Sequence, residues 1–161
     1  MLINREIADT TKKLPDVASA HATPIALSLN WVGMDQIDLP LSVVTREHAD
    51  TDISTSNVDA RVNCYVSLDN EQAKGIHMSR LYNLLQTHLS NQTLTTDTLK
   101  PLMRALIESQ AGLSSEAILT LHADLVLLRP ALISKASGYQ SYKMAITAHQ
   151  QKAHLNFTLS V

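Results

Sequence analysis

The densest group of polar side chains in this 161-residue sequence lies between residues 74 and 80. This 74–80 segment precedes a run with helical spacing and reads Lys74-Gly75-Ile76-His77-Met78-Ser79-Arg80. The N–H groups and the dipole at a helix start attract anions. Arginine can bind a phosphate or carboxylate through two parallel hydrogen bonds, and histidine can transfer a proton near neutral pH. The segment therefore predicts a helix start that binds an anion.

A structural role for the 74–80 segment stays open at this point. In that alternative Ser79 only caps the helix, because serine often accepts a backbone N–H at a helix start. Lys74 and Arg80 are then solvated surface charges, and His77 packs at a subunit contact. Residue spacing alone favours this structural interpretation over ligand binding.

The remaining nucleophilic and metal-binding side chains match no known site pattern. Cys64, the only cysteine, falls on the apolar side of a predicted strand, where an inert buried thiol is more expected than a nucleophile or metal ligand. His149 and His154 flank a predicted hairpin; they could meet across it, with a surface pair the safer interpretation. The seven histidines show no His-x-x-x-His spacing. No catalytic residue and no metal ligand is assigned from these patterns.

Composition excludes several classes of protein. Hydrophobic residues make up 45% of the chain and charged residues 17%, a balance typical of one globular domain. The net charge of −2 predicts no nucleic-acid partner and no attraction to an anionic membrane. No apolar run approaches the roughly 20 residues of a membrane span. A single cysteine allows no internal disulfide, which fits a reducing, cytoplasmic location.

The chain divides into an arm and a module. Residues 1–24 are predicted to form an extended N-terminal arm, since Pro15 and Pro24 interrupt any helix there. Residues 25–161 are predicted to form a single module. Apolar alternation is still in progress at Val161, which leads us to expect that the natural protein continues beyond it.

Two helices are predicted between groups of strands. The clearest strand covers residues 58–68, where even-numbered residues are apolar and odd-numbered ones polar. Helical spacing predicts one helix over about 78–90 and another carrying Leu99 to Ile107, with candidate N-caps in 96–98 and Gly112 as its stop. Further strands are predicted at 37–43, 117–127, 142–148 and 155–161, with polar loops at 45–56 and 149–152.

This order of elements predicts an α+β fold. Strands on both sides of a central helix pair indicate an antiparallel sheet with the two helices packed on one face. The other face is predicted to be half polar, with Asp59, Arg61 and Asn63 from one strand and His122 and Asp124 from another.

Four stretches of the sequence resemble the type IB GTP cyclohydrolases. The most specific is the 74–80 segment at its helix start, and the others are Leu14-Pro15-Asp16-Val17, Trp31-Val32-Gly33-Met34 and Val66-Ser67-Leu68. The resemblance runs from about residue 14 to the end, always in the family's N-terminal half. It implies a tunnelling-fold module, the first of two in each chain, and a homotetramer.

The resemblance also implies an activity. The family opens GTP hydrolytically, releases C8 as formate and yields 7,8-dihydroneopterin triphosphate, the first step of tetrahydrofolate synthesis. A divalent metal, zinc or another, activates the attacking water. By resemblance, Lys74, His77, Ser79 and Arg80 are expected to bind the substrate across a subunit boundary, although Arg80 could instead anchor the helix to a neighbouring strand.

One departure from the family matters for activity. The family's Cys-Pro-Cys-Ser stretch, which supplies the metal-binding cysteine, follows the region matched here, and this chain lacks it. Cys64 lies elsewhere and does not replace it. The expectation is an N-terminal portion that is inactive by itself, and the alternative is a non-catalytic binding or assembly module derived from the same fold.

Overall fold

Alternating side chains place one face of an antiparallel sheet against two helices. The computed structural model describes residues 29–46, 53–71, 73–133 and 136–161; the predicted arm, residues 1–24, lies outside them. The elements in order are β1 (Leu29–Arg46), β2 (Ile53–Leu68), α1 (Met78–Leu89), α2 (Thr96–Glu108), β3 (Glu116–Pro130), β4 (Ser137–Gln151) and β5 (His154–Ser160). The five strands lie in sequence order and every neighbouring pair is antiparallel. The predicted α+β class is confirmed.

The hydrophobic core fills the space between the sheet and the helix pair. Each helix contributes a stripe of buried residues at helical spacing, and the first four strands contribute alternate residues. The fully buried core side chains include Leu81, Leu85, Leu102, Met103, Leu106, Val62, Val66, Cys64 and Leu119. The predicted alternation in residues 58–68 is confirmed, because the even-numbered side chains all lie in this core.

The opposite face of the sheet is half polar, as predicted. Asp59, Arg61, His122 and Asp124 are all exposed there. Ser67 is the exception, because it is buried. Its hydroxyl accepts hydrogen bonds from the backbone N–H groups that open β3, at 3.0 and 3.1 Å.

The loop predicted at 45–56 is wrong at both of its ends, and residues 47–52 lie outside the described residues. β1 extends to Arg46 and β2 begins at Ile53, so the strands take up both ends of that range. Hydroxyl side chains, which looked like loop residues, instead pair across the strands; Thr45 Oγ1 lies 2.8 Å from Ser54 Oγ. The predicted loop at 149–152 is also mostly strand, since β4 ends at Gln151 and only Lys152 and Ala153 form the turn.

The boundaries of α2 differ from the prediction by a few residues. Its N-cap is Thr95, which forms a reciprocal pair of hydrogen bonds with Thr98 at 3.1 and 3.0 Å. Thr95 is the N-cap in place of the predicted residues 96–98, because its backbone is extended, as an N-cap residue requires. The helix ends at Glu108, and Gly112 follows in the connection with φ +84°.

The sheet divides into two ribbons at one end. β2 pairs with β3 only over residues 60–66 and 117–123. Beyond that stretch, β1 and β2 stay paired with each other as far as Arg46 and Ile53, and β3 and β4 as far as Pro130 and Ser137. We call the second extension, residues 124–133 and 136–143, the β3–β4 ribbon.

Candidate anion-binding site

The 74–80 segment leads into the first helix, as predicted. α1 begins at Met78, and His77 is its N-cap residue. The backbone N–H of His77 donates to Oε1 of Gln110 at 2.8 Å. Gln110 is completely buried, so its amide replaces the water that would otherwise satisfy a donor at a helix start. The start of α1 is therefore held by the residues that follow α2.

Arg80 links the two helices. Its Nη1 donates to the carbonyl oxygen of Ser109 at 2.7 Å, and Ser109 is the C-cap of α2. A cation at this position is favourable, because the last carbonyl groups of a helix carry partial negative charge. Arg80 therefore anchors α1 to the end of a helix, not to a neighbouring strand.

Lys74 and Ser79 lie on the surface of the same helix start. Both are exposed, whereas His77 is buried and Arg80 is half-buried. Ser79 lies inside the first turn of α1 and is not its N-cap, so the capping alternative for Ser79 is wrong. The structure thus brings the four predicted residues to one helix start and divides them into an exposed pair and a more buried pair.

Gln110 and Ser109 were missed by the sequence reasoning. Both come directly after α2, where a Ser-Gln pair is typical of an ordinary polar connection. Nothing in their spacing indicates that Gln110 reaches residue 77 or that Ser109 meets residue 80. Their role arises only because α1 and α2 pack side by side with opposite ends together.

Cys64 is an inert buried thiol, as predicted. Its side chain has no exposed surface, and burial raises its pKa from 9.0 to about 12. Since the thiolate is the reactive form, almost none is present near neutral pH. Cys64 therefore supplies neither a nucleophile nor a metal ligand here.

His149 and His154 do not meet across the β4–β5 hairpin. His149 lies opposite Asn156, and His154 lies opposite Gln151. His149 Nε2 instead lies 3.2 Å from a carboxylate oxygen of Glu116 on β3. The ring of Trp31 also contacts His149 edge-on, with 5.6 Å between the ring centroids.

Tyr65 and Asp35 form a second polar pair on the open face of the sheet. The Tyr65 hydroxyl donates to the Asp35 carboxylate, and this hydrogen bond is the main cause of a raised pKa for Tyr65. Asp35 is placed there by a β-bulge, in which Gln36 takes φ +55° and its N–H donates to the Asn63 side chain at 2.9 Å.

A large polar cavity lies where the two ribbons separate. Its volume is about 750 Å³, and its lining includes Arg61, His122 and Lys143 together with Asp38 and Asp124. These side chains belong to the open face of the sheet. The 74–80 segment belongs to the helix layer on the other face, so a single chain does not bring the two together.

No metal site is evident in the described part of the chain. Within residues 29–46, 53–71, 73–133 and 136–161, no three His, Cys, Asp or Glu side chains are placed to hold a metal ion. Among the same residues, no helix is long and apolar enough to cross a membrane.

The fold and the helix start together define a class of protein. A five-stranded antiparallel sheet with a helix pair on one face is the arrangement of a tunnelling-fold-like module. The family model described as Type I GTP cyclohydrolase folE2 matches residues 14–161. The chain therefore belongs to that family.

Curated relatives agree with the family match. The chain is 38% identical over 148 residues to GTP cyclohydrolase FolE2 of Pseudoalteromonas atlantica, covering 92% of this chain and 47% of the relative. It is 40% identical over 152 residues to GTP cyclohydrolase FolE2 of Pseudomonas syringae pv. syringae, covering 93% and 48%. The protein of the same name from Xanthomonas axonopodis pv. citri is 39% identical over 150 residues. The chain spans about half the length of these relatives.

Proposed function

We propose that this chain is the N-terminal portion of a type IB GTP cyclohydrolase. The complete enzyme would open GTP, release C8 as formate and form 7,8-dihydroneopterin triphosphate, in the first step of tetrahydrofolate synthesis. The observation that carries this proposal is the family match, which covers residues 14–161. Relatives named GTP cyclohydrolase FolE2, which cover more than nine-tenths of the chain, support it.

In this proposal the 74–80 segment contacts GTP. Lys74 and Ser79 are exposed at the start of α1, where helix N–H groups and a nearby cation favour a phosphate. Arg80 uses Nη1 for the Ser109 carbonyl, and a guanidinium has further N–H donors for a ligand. His77 is held through its backbone by Gln110, which fixes the direction in which α1 begins.

The proposed enzyme needs a divalent metal, zinc or another, to activate water. The described residues provide no group of three ligands for it, so they do not fit a complete metal centre. In the proposal those ligands come from the part of the family that this chain does not span.

The proposal includes a cytoplasmic homo-oligomer, a tetramer by family resemblance. Exposed apolar side chains support assembly, since Leu132 and Ile133 at the end of the β3–β4 ribbon are fully exposed. Assembly would also let the 74–80 segment of one copy approach the polar cavity of another. GTP would then lie at a boundary between copies.

Formate release tests the proposed function. The 161-residue chain alone is expected to release no formate from GTP, because its described residues provide no group of three metal ligands. Adding the separately expressed C-terminal half of the Pseudomonas syringae relative is expected to restore release. Formate release by the chain alone would show that the metal ligands do not come from the part of the family that this chain does not span. Stable association of the two halves without turnover would contradict the cyclohydrolase assignment.

Arg80→Ala tests whether the 74–80 segment binds substrate. In the reconstituted enzyme it is expected to weaken GTP binding by about 1–3 kcal/mol, the range for a hydrogen bond to a charged group. GTP affinity is measured by calorimetry, and thermal unfolding is recorded in parallel. Arg80→Lys is the control, since it keeps the charge and loses the planar fork. Unchanged affinity with a lower melting temperature would assign Arg80 to the Ser109 contact alone.

A non-catalytic assembly module is the second candidate, and the β5 edge favours it. Among the described residues β5 pairs only with β4, and Leu159 and Val161 are 64% and 81% exposed. The outer edge of β1 is covered around Ser42, whose backbone N–H donates to the Gln92 carbonyl at 3.1 Å and whose carbonyl accepts from the Leu94 N–H at 2.7 Å. Residues 155–161 contain no charged side chain and no proline, which are the residues that usually discourage pairing at a strand edge. A stable oligomer that stays inactive with the C-terminal half would favour this function.

A further inference from the structure

A cleft separate from the 74–80 segment lies between α2 and the β4–β5 turn. Its volume is about 550 Å³, within the range of small-ligand sites. Lys100 and Arg104 line one side from α2, and Lys152 lines the other from the turn. Leu155 and Ile107 contribute apolar surface between them. We call it the α2–turn cleft.

Positive charge dominates the α2–turn cleft. Glu108 is the one acidic side chain in its lining, against three cations. Lys100 pairs with Asp97 at 3.6 Å, but both side chains are more than half exposed, and such pairs contribute little. Within the described residues, Arg104 and Lys152 have no carboxylate within 4.0 Å. The local excess of cations contrasts with the net charge of −2 for the whole chain.

The turn that carries Lys152 is held in place from beneath. The buried side chain of Gln150 donates through Nε2 to the carbonyl oxygens of Lys152 and His154, at 2.7 and 3.2 Å. Lys152 itself has φ +52°, a conformation that glycine or asparagine adopts more readily than lysine. The backbone of Lys152 therefore has a defined position opposite α2, which reduces the ordering cost of a ligand contact.

We propose that the α2–turn cleft binds a small anion that carries a chain of phosphate groups. Two cations without carboxylate partners, facing each other across a concave surface, suit a ligand with several negative charges. Arg104 can bind one phosphate with two donors, and Lys152 can bind another as a point charge. The proposal does not depend on cyclohydrolase activity, because it rests on residues outside the 74–80 segment.

Calorimetric titration of the 161-residue chain with inorganic triphosphate tests the proposal. We expect saturable binding that weakens about tenfold in Arg104→Gln and in Lys152→Gln, as for loss of one charged hydrogen bond. Arg129→Gln, which removes an exposed cation from the β3–β4 ribbon, is expected to leave the affinity unchanged. Circular dichroism checks that each variant is folded.

Lys74→Gln separates this site from the proposed substrate site. Unchanged triphosphate affinity in Lys74→Gln supports the α2–turn cleft. Loss of binding in Lys74→Gln with full binding in Arg104→Gln would place the anion at the start of α1 and overturn the proposal. Absence of saturable binding, or equal losses in all variants including Arg129→Gln, would also overturn it.

A parallel titration with ATP distinguishes the two sources of a phosphate chain. Equal affinity for ATP and triphosphate, with the same loss in Arg104→Gln, identifies a nucleotide as an acceptable ligand. Binding of triphosphate alone identifies free polyphosphate. Either result supports the cleft as a phosphate site.

Discussion

Replacing Gly33 with alanine is expected to lower the free energy of unfolding by about 3 kcal/mol, the upper part of the range for overpacking a buried contact. An added Cβ would lie 1.9 Å from the carbonyl oxygen of Cys64 and 2.7 Å from the Cα of Tyr65. Both are backbone atoms, so no side-chain rotation can relieve the overlap. β1 would have to move away from β2, and urea unfolding followed by circular dichroism measures the loss.

Gly138→Ala is the matched control for Gly33. Gly138 also lies in a paired strand, opposite Arg129, but an added Cβ there meets nothing within 4 Å. Its replacement is expected to change the free energy of unfolding by less than about 1 kcal/mol, with stabilisation more expected than loss. Equal losses in both variants would show that close approach of β1 and β2 is not the reason for glycine at position 33.

Gln110→Ala is expected to have the other large effect, a loss of about 2–4 kcal/mol in the free energy of unfolding. The substitution leaves a cavity and removes the acceptor for the backbone N–H of His77, which lies 2.8 Å away. It also removes the bond from Nε2 to the Ser109 hydroxyl, at 2.8 Å. A buried donor without a partner accounts for about 1–3 kcal/mol of this loss.

The location of increased hydrogen exchange in Gln110→Ala distinguishes a capping role of Gln110 from the effect of a cavity alone. Hydrogen exchange at the amides of His77 and Met78 is expected to accelerate more than exchange in the strands, because α1 loses the group that holds its first N–H. Gln92→Ala is the control, since Gln92 is exposed and its loop contacts use backbone atoms. A uniform increase in exchange would contradict the capping role of Gln110.

The 74–80 segment makes structural contacts that leave its proposed role in substrate binding possible. Arg80 and the backbone of His77 hold the start of α1 against the end of α2, while Lys74 and Ser79 remain exposed. A fixed helix start with exposed polar groups is what a preorganised anion site requires. The structural contacts therefore favour the proposed substrate site and do not compete with it.

The sequence by itself determined the class of fold and most of its elements. Alternation with period two identified residues 58–68 as a half-buried strand, and helical spacing identified α1, because each pattern follows directly from the local backbone geometry. The buried state of Cys64 followed from the same alternation. The 74–80 segment could also be recognised from the sequence as similar to the family, because its residues are contiguous in the chain.

Only the tertiary structure decided which distant residues complete each local feature. Gln110 binds the backbone of His77, 33 positions earlier in the chain. His149 meets Glu116 across β3 and β4, and Lys152 faces α2 from a two-residue turn. These contacts depend on how the helices pack and on the register of the strands. Both are determined by burial of the hydrophobic core as a whole. No local pattern encodes them, because each partner alone looks like an ordinary polar surface residue.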